Sequence, residues 1–230
     1  MISENYYSVK ENIVKACEKA GREVSEVKLM AVSKTKPAEM VQEIYDCGQR
    51  IFGENKVQEL SGKVPVLPSD IEWHLIGHLQ HNKVKQAVAN AYAIHSVDSV
   101  RLAEYISREA VKQGKIQNIL LEVNAAGEES KFGFMPDEVT TAAEEISKLD
   151  GIKVIGLMTV APNVEDPNEN RPVFRCLREL GVDINSKKFN NISISEYSMG
   201  MTNDYAVAIE EGATYIRVGT AIFGERNYNI

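Results

Sequence analysis

The chain has 230 residues, 43% of them hydrophobic and 26% charged, with a formal charge of −7 at neutral pH. That length holds one large α/β domain or two small ones, and the composition excludes a disordered or fibrous chain. The acidic balance excludes a general affinity for nucleic acid or anionic membranes, which rests on surplus Lys and Arg, so any phosphate must be held locally.

Residues Met1 to Lys10 lack the apolar core of a secretory leader, and no run of about 18 apolar residues follows. A cytoplasmic location with no membrane partner is therefore expected. Cys17, Cys47 and Cys176 are far apart and form no CxxC pair, which fits a reducing compartment and buried thiols.

The first element is a helix over residues 3–20, apolar at Tyr7, Val9, Ile13, Val14 and Cys17. Short β-branched runs then alternate with amphipathic ones. The spacing predicts strands at 27–34, 50–54, 72–78, 93–97, 118–124, 153–160, 192–198 and 215–219. It predicts helices at 38–47, 57–62, 83–91, 100–113, 137–149, 172–180 and 204–211. Eight strands in βα alternation fit a TIM-type (β/α)8 barrel with an additional N-terminal helix; a doubly wound open sheet competes. No linker divides the chain, so 1–230 is read as a single domain. The loop 161–171, APNVEDPNENR, follows the sixth strand at the end where barrels keep their active sites, either as a lid or as a solvated connection.

Three segments carry candidate chemistry. In VKLMAVSK, alternation puts Met30, Val32 and Lys34 on one face. A lysine ending the first barrel strand among apolar neighbours is partly desolvated, which makes its amine a usable nucleophile toward a carbonyl, as in Schiff-base chemistry. The competing reading is that Lys34 snorkels to solvent. Lys36, beside Pro37, is expected to be exposed. The turns at Ser198-Met199-Gly200-Met201-Thr202-Asn203-Asp204 and Arg217-Val218-Gly219-Thr220 offer backbone N–H groups to an anion where barrels often hold phosphate. Arg217, if it points inward, must face a bound ring or pair with a carboxylate such as Glu54 or Glu122. His74, His78 and His81 invite a zinc site, but on a strand His74 and His78 lie about 13 Å apart, so packing or a supporting role is expected for His74 and surface placement for His81.

The segments AVSKTKP, FGEN, WHLIGHLQHNK, GLMTVAP, SMGMTND and RVGTAIFGER together resemble, over nearly the whole chain, the pyridoxal phosphate homeostasis protein family. The resemblance implies a barrel like the N-terminal domain of bacterial alanine racemase. It also implies a protein that binds and distributes pyridoxal 5′-phosphate (PLP), with apo PLP-dependent enzymes as recipients. By the same resemblance Lys34 carries PLP covalently, Asn55 and His74 line the pocket, and Ser198, Gly200, Gly219 and Thr220 meet the phosphate. Arg217 then faces the pyridine nitrogen, where a cation disfavours protonation and leaves the ring a poorer electron sink. Tyr197, where a leucine is expected, and Pro172, at the opening of a helix, depart from the pattern and put local packing in doubt.

A PLP carrier acting on the amino and keto acid balance is thus the expected function, as a monomer with no metal, and it is not read as an enzyme. A PLP-dependent amino acid racemase is the alternative. It needs a second acid/base group, which alanine racemase gains with help from an added domain, and a chain ending at Ile230 leaves no room for one. A class I aldolase is a weaker reading, because its lysine normally lies on a later strand.

Overall fold

The structure, a computed structural model, describes residues 1–128 and 131–225. After helix α1 (Ile2–Ala20) come strands β1 (Lys28–Val32), β2 (Ile51–Glu54), β3 (Glu72–Leu75) and β4 (Ala93–Val97), then β5 (Gln117–Glu122), β6 (Ile152–Met158), β7 (Ile192–Met201) and β8 (Tyr215–Val218). They pair in sequence order, all parallel, and β8 returns to β1 through Lys28↔Tyr215 and Met30↔Arg217. That last pairing closes the barrel and rules out the open sheet.

Each of the first seven strands is followed by a helix: α2 (Ala38–Asp46), α3 (Val57–Lys63), α4 (Val84–Asn90), α5 (Val100–Lys112), α6 (Val139–Ile146), α7 (Arg171–Ser186) and α8 (Tyr205–Glu210). The short α9 (Thr220–Phe223) follows β8. Parallel strands covered by helices are apolar on both faces. The outward residues Leu29, Ala31, Phe52, Trp73, Ile94, Ile119 and Leu121 join one continuous core beneath the helices. Helix α5 shows the matching pattern: Leu102, Ala103, Ile106 and Ala110 are buried along one face, and the Ser99 hydroxyl caps its start by accepting from the Leu102 amide.

Helix α1 buries Tyr6, Val9, Ile13, Ala16 and Cys17, and leaves Tyr7 and Val14 exposed. The predicted stripe is therefore rotated at two positions. Tyr6 is drawn inward because its hydroxyl donates to Gln49 Oε1, which ties α1 to the segment before β2.

Most strands end earlier than predicted, because at the mouth of the barrel the backbone leaves the ladder for the loops. Strand β1 stops at Val32, so Lys34 stands in the turn beyond it rather than at the strand end. Strand β7 runs the other way: Ser198 to Met201 belong to the strand, and only Thr202 to Asp204 form the turn.

Helix α7 continues past Leu180, and the two departures from the family pattern are accommodated there. A Cβ on Gly181 would lie 2.3 Å from the Tyr197 hydroxyl and 2.7 Å from its ring, so the missing side chain is what admits a tyrosine on β7. Pro172 falls in the first turn, where its missing N–H has no helical partner to lose. No helix of the described residues is long and apolar enough to cross a membrane.

Candidate functional site

A cavity of about 340 Å³ opens at the carboxyl ends of the strands. Four of the eight predicted site residues line it: Lys34, Arg217, Gly219 and Thr220. Met201 to Asp204 form another wall, Val32 and Ile76 supply apolar surface, and the loop after β6 contributes Pro162, Asn163, Val164, Pro167 and Asn170.

That loop is pinned rather than loose. The Asn170 amide donates to Pro162 O at 3.0 Å and to Asp204 Oδ2 at 2.8 Å, while Asp204 Oδ1 accepts from the Met201 amide at 2.6 Å. Arg171 ties the far end to Glu210 and Glu211. The loop is thus a wall of the cavity, cross-linked to the turn after β7.

The other four predicted residues do not line the cavity. Asn55 faces a neighbouring depression with Lys56, His78 and Lys83. His74 and Ser198 are fully buried in the barrel lumen, and Gly200, with φ +88°, packs its α-carbon against α8, where a Cβ would fall 2.5 Å from Ala208 Cβ. His78 and His81 are exposed, and the described residues contain no cluster of three metal-ligating side chains.

Lys34 is half-buried, and the residue after it, Thr35, adopts φ +63°, which is unusual for a β-branched side chain. The turn is held by Lys36 N donating to Ser33 O and by Thr35 N donating to Glu59 Oε2. Lys36 is not free at the surface as expected: its ammonium donates to the carbonyls of Phe223, Gly224 and Glu225, fastening the first turn to the end of α9.

Of the two alternatives for Arg217, the pairing with Glu54 or Glu122 is not made as a direct ion pair among the described residues. Glu54 is engaged by Lys63 at 2.7 Å and by the Ser33 hydroxyl at 2.6 Å. Arg217 instead donates to Ser198 Oγ at 2.8 Å and to Thr159 O at 2.7 Å. Its neighbours Asp204 and Glu122 act on it through space; burial nevertheless pulls its pKa down to about 10, which leaves it cationic at neutral pH. Burial, reinforced by Asp98, pushes the Glu122 carboxyl up to about 7 against the pull of Arg217 and Lys131.

Below the cavity a polar chain crosses the lumen. His95 Nδ1 lies 2.9 Å from Ser198 Oγ, and His95 Nε2 lies 2.8 Å from His74 Nδ1. Burial lowers the pKa of both imidazoles, that of His95 well below the usual range, and so favours their neutral forms. His95 was missed in the sequence. The available signal was a histidine in the middle of the strand-like run AIHSV.

An eight-stranded parallel barrel with a lysine just past β1, and with the turns after β7 and β8 walling a cavity of about 340 Å³, has the architecture of the alanine racemase N-terminal type. Residues 5–227 match the family model described as "Alanine racemase, N-terminal domain". An alanine racemase of Clostridium difficile 630 superposes with TM-score 0.75 at 13% identity, covering 96% of this chain and 57% of that one, a likeness of fold alone. A "Pyridoxal phosphate homeostasis protein" of Aquifex aeolicus is 46% identical over 226 residues, 98% of each chain. PipY of Synechococcus elongatus PCC7942, solved with PLP bound, matches with TM-score 0.84 at 35% identity, covering 97% of this chain and all of that one. The chain belongs to the pyridoxal phosphate homeostasis protein family.

Proposed function

We propose that this chain holds PLP, its aldehyde carbon bonded to Lys34 Nζ with loss of water, and acts in intracellular PLP homeostasis and so on the balance of amino and keto acids. The observation that carries the reading is one cavity bringing together Lys34, Arg217 and the hydroxyl residues Thr202 and Thr220 at the strand ends. The donor set suits a phosphorylated carbonyl compound. Among the described lining residues the one carboxylate is Asp204, and both its oxygens already accept hydrogen bonds, so an anion entering the cavity meets cations and hydroxyls. A volume of about 340 Å³ is ample for a small cofactor.

In this reading the turn 202–204 and the segment Gly219 to Thr220 hold the phosphate, and Gly200 brings the strand close to α8 so that the turn can form. Asn55 borders the pocket from the neighbouring depression, and Ser198 and His74 act from below, Ser198 through its bond to Arg217 and His74 through His95. PLP when bound offers an electrophilic carbon to amines; the Arg217 cation beside its ring disfavours ring protonation and the stabilisation of carbanions. That favours a carrier over a catalyst. The reading includes a monomer of one domain, 1–230, in the cytoplasm, delivering PLP to apo PLP-dependent enzymes, with no nucleic acid or membrane partner.

Two experiments test it. PLP titrated into wild-type and Lys34→Ala protein is expected to give a visible absorption band only in the wild type. The loaded wild type, incubated with amino acids in deuterated water, is expected to leave their α-protons in place by NMR. Steady α-proton exchange or transamination would overturn the carrier assignment while leaving the binding assignment standing.

A further inference from the structure

The imidazoles of His74 and His95 lie away from the cavity, are fully buried, and bond to each other. The direction of the bonds follows from one constraint: a guanidinium only donates. Arg217 therefore fills one acceptor site of Ser198 Oγ, and the hydroxyl hydrogen is left to serve His95 Nδ1, the other partner of that oxygen. His95 then carries its proton on Nε2 and donates it to His74 Nδ1. His74 in turn carries its proton on Nε2, which points toward the Glu72 carboxylate 4.0 Å away.

The reverse order fails twice. With the proton on His95 Nδ1, Ser198 Oγ would receive two donors and its own hydrogen would have no acceptor among the described residues. The His74 Nε2 lone pair would then face a carboxylate. No hydrogen bond reaches that nitrogen, so the facing carboxylate decides between the two forms: at 4.0 Å it attracts an N–H dipole and repels a lone pair.

The chain is also held sideways. The Tyr215 ring lies 5.2 Å from His74 and 5.6 Å from His95, and Tyr92 lies 5.3 Å from His74. Neither imidazole can turn without displacing an aromatic neighbour.

We propose that His95 is a positioning residue: a one-directional hydrogen-bond chain from Arg217 through Ser198 and His95 to His74 fixes the guanidinium at the floor of the cavity. Because arginine gives no proton up, the chain relays none into the cavity; it sets where the cation sits. The consequence for bound PLP rests on the proposed function, whereas the direction of the chain does not.

Two measurements on the full chain separate these parts. In histidine-15N-labelled protein without PLP, two-bond nitrogen–proton correlations at neutral pH are expected to show His74 and His95 both protonated on Nε2 alone. A proton on Nδ1 of His95 would overturn the chain, whatever the ligand. With PLP added, His95→Phe is expected to move the visible absorption maximum and weaken binding on the order of 3- to 10-fold, the size of one neutral hydrogen bond. His95→Gln, which keeps a donor and an acceptor, is expected to restore most of both. Equal losses of thermal stability in the two variants, with the absorption maximum unmoved in either, would make His95 a packing residue only. Failure of wild type to bind PLP at all would sink the proposed function and leave the tautomer result to decide the chain.

Discussion

Thr35 sits beside the proposed PLP-bearing lysine with φ +63°. Holding a β-branched residue in that region costs about 1–3 kcal/mol, while a glycine there adds unfolded-chain entropy worth about 0.4–1 kcal/mol. Strain is the larger effect. Thr35→Gly is expected to raise the melting temperature by about 2–4 °C, and to weaken PLP binding because the turn no longer holds Lys34 in place. A lowered melting temperature, read by calorimetry, would contradict the strain.

Glu122 supplies a pH dependence. Its folded pKa of about 7 lies above the ordinary value of 4.5, so the folded state binds the proton more tightly than the unfolded chain. Its contribution is complete below pH 4.5 and is lost as pH rises through 7. Glu122→Gln, neutral throughout, is therefore expected to match wild type near pH 4 and to exceed it by about 1–3 kcal/mol at pH 8.5, a range reduced for partial exposure. Denaturant unfolding at the two pH values checks the sign. At this scale the site was partly legible. Arg217 could be placed by strand alternation and Lys34 by its position just past the first strand, but His95 could not, because its partner Ser198 lies 103 residues away and only barrel closure brings them together. The partners of Arg217 were not legible for the same reason: a hydroxyl on β7 and a carbonyl just past β6 leave no mark in sequence.

Among the elements, α7 and β7 fit each other through an absence. Alanine is a better helix former than glycine by about 1 kcal/mol, but a Cβ at Gly181 collides with the Tyr197 ring, and overpacking costs about 1–3 kcal/mol. Gly181→Ala is expected to destabilise the protein, and the double variant with Tyr197→Leu to recover the loss, a coupling that a double-mutant cycle measures. Independent, additive effects would mean that the ring yields. The strut between α7 and the turn after β7 makes a second prediction. Asn170→Ala leaves the buried Asp204 Oδ2 without its donor, and should cost about 1–3 kcal/mol and loosen PLP retention together. Helix and strand positions were legible from apolar period; their ends were not. The helix predicted over 172–180 stops just short of Gly181, which lies inside α7, and Met199 to Met201 read as a turn although β7 runs on to Met201, where it pairs with Arg217 of β8.

For the whole molecule, alternation announced eight strands and their parallel sense, while the competing open sheet was excluded only by the pairing of Lys28 with Tyr215 across almost the full chain. Helix α1 packs on the outside against α2, α8 and α9, with Asn5 donating to Ile222 O and Arg22 donating to Ile209 O and Ala213 O, so the first and last elements are joined. The proposed single domain predicts one transition: unfolding followed by Trp73 fluorescence and by far-ultraviolet circular dichroism should coincide, and two separated transitions would divide the chain. The central claim, that this barrel carries PLP on Lys34, is tested most directly by adding PLP, reducing with borohydride and mapping the adduct by peptide mass. The account predicts one equivalent on the peptide bearing Lys34 and loss of that adduct in Lys34→Ala. No adduct, or one spread over surface lysines, would contradict it and leave the cavity to another ligand.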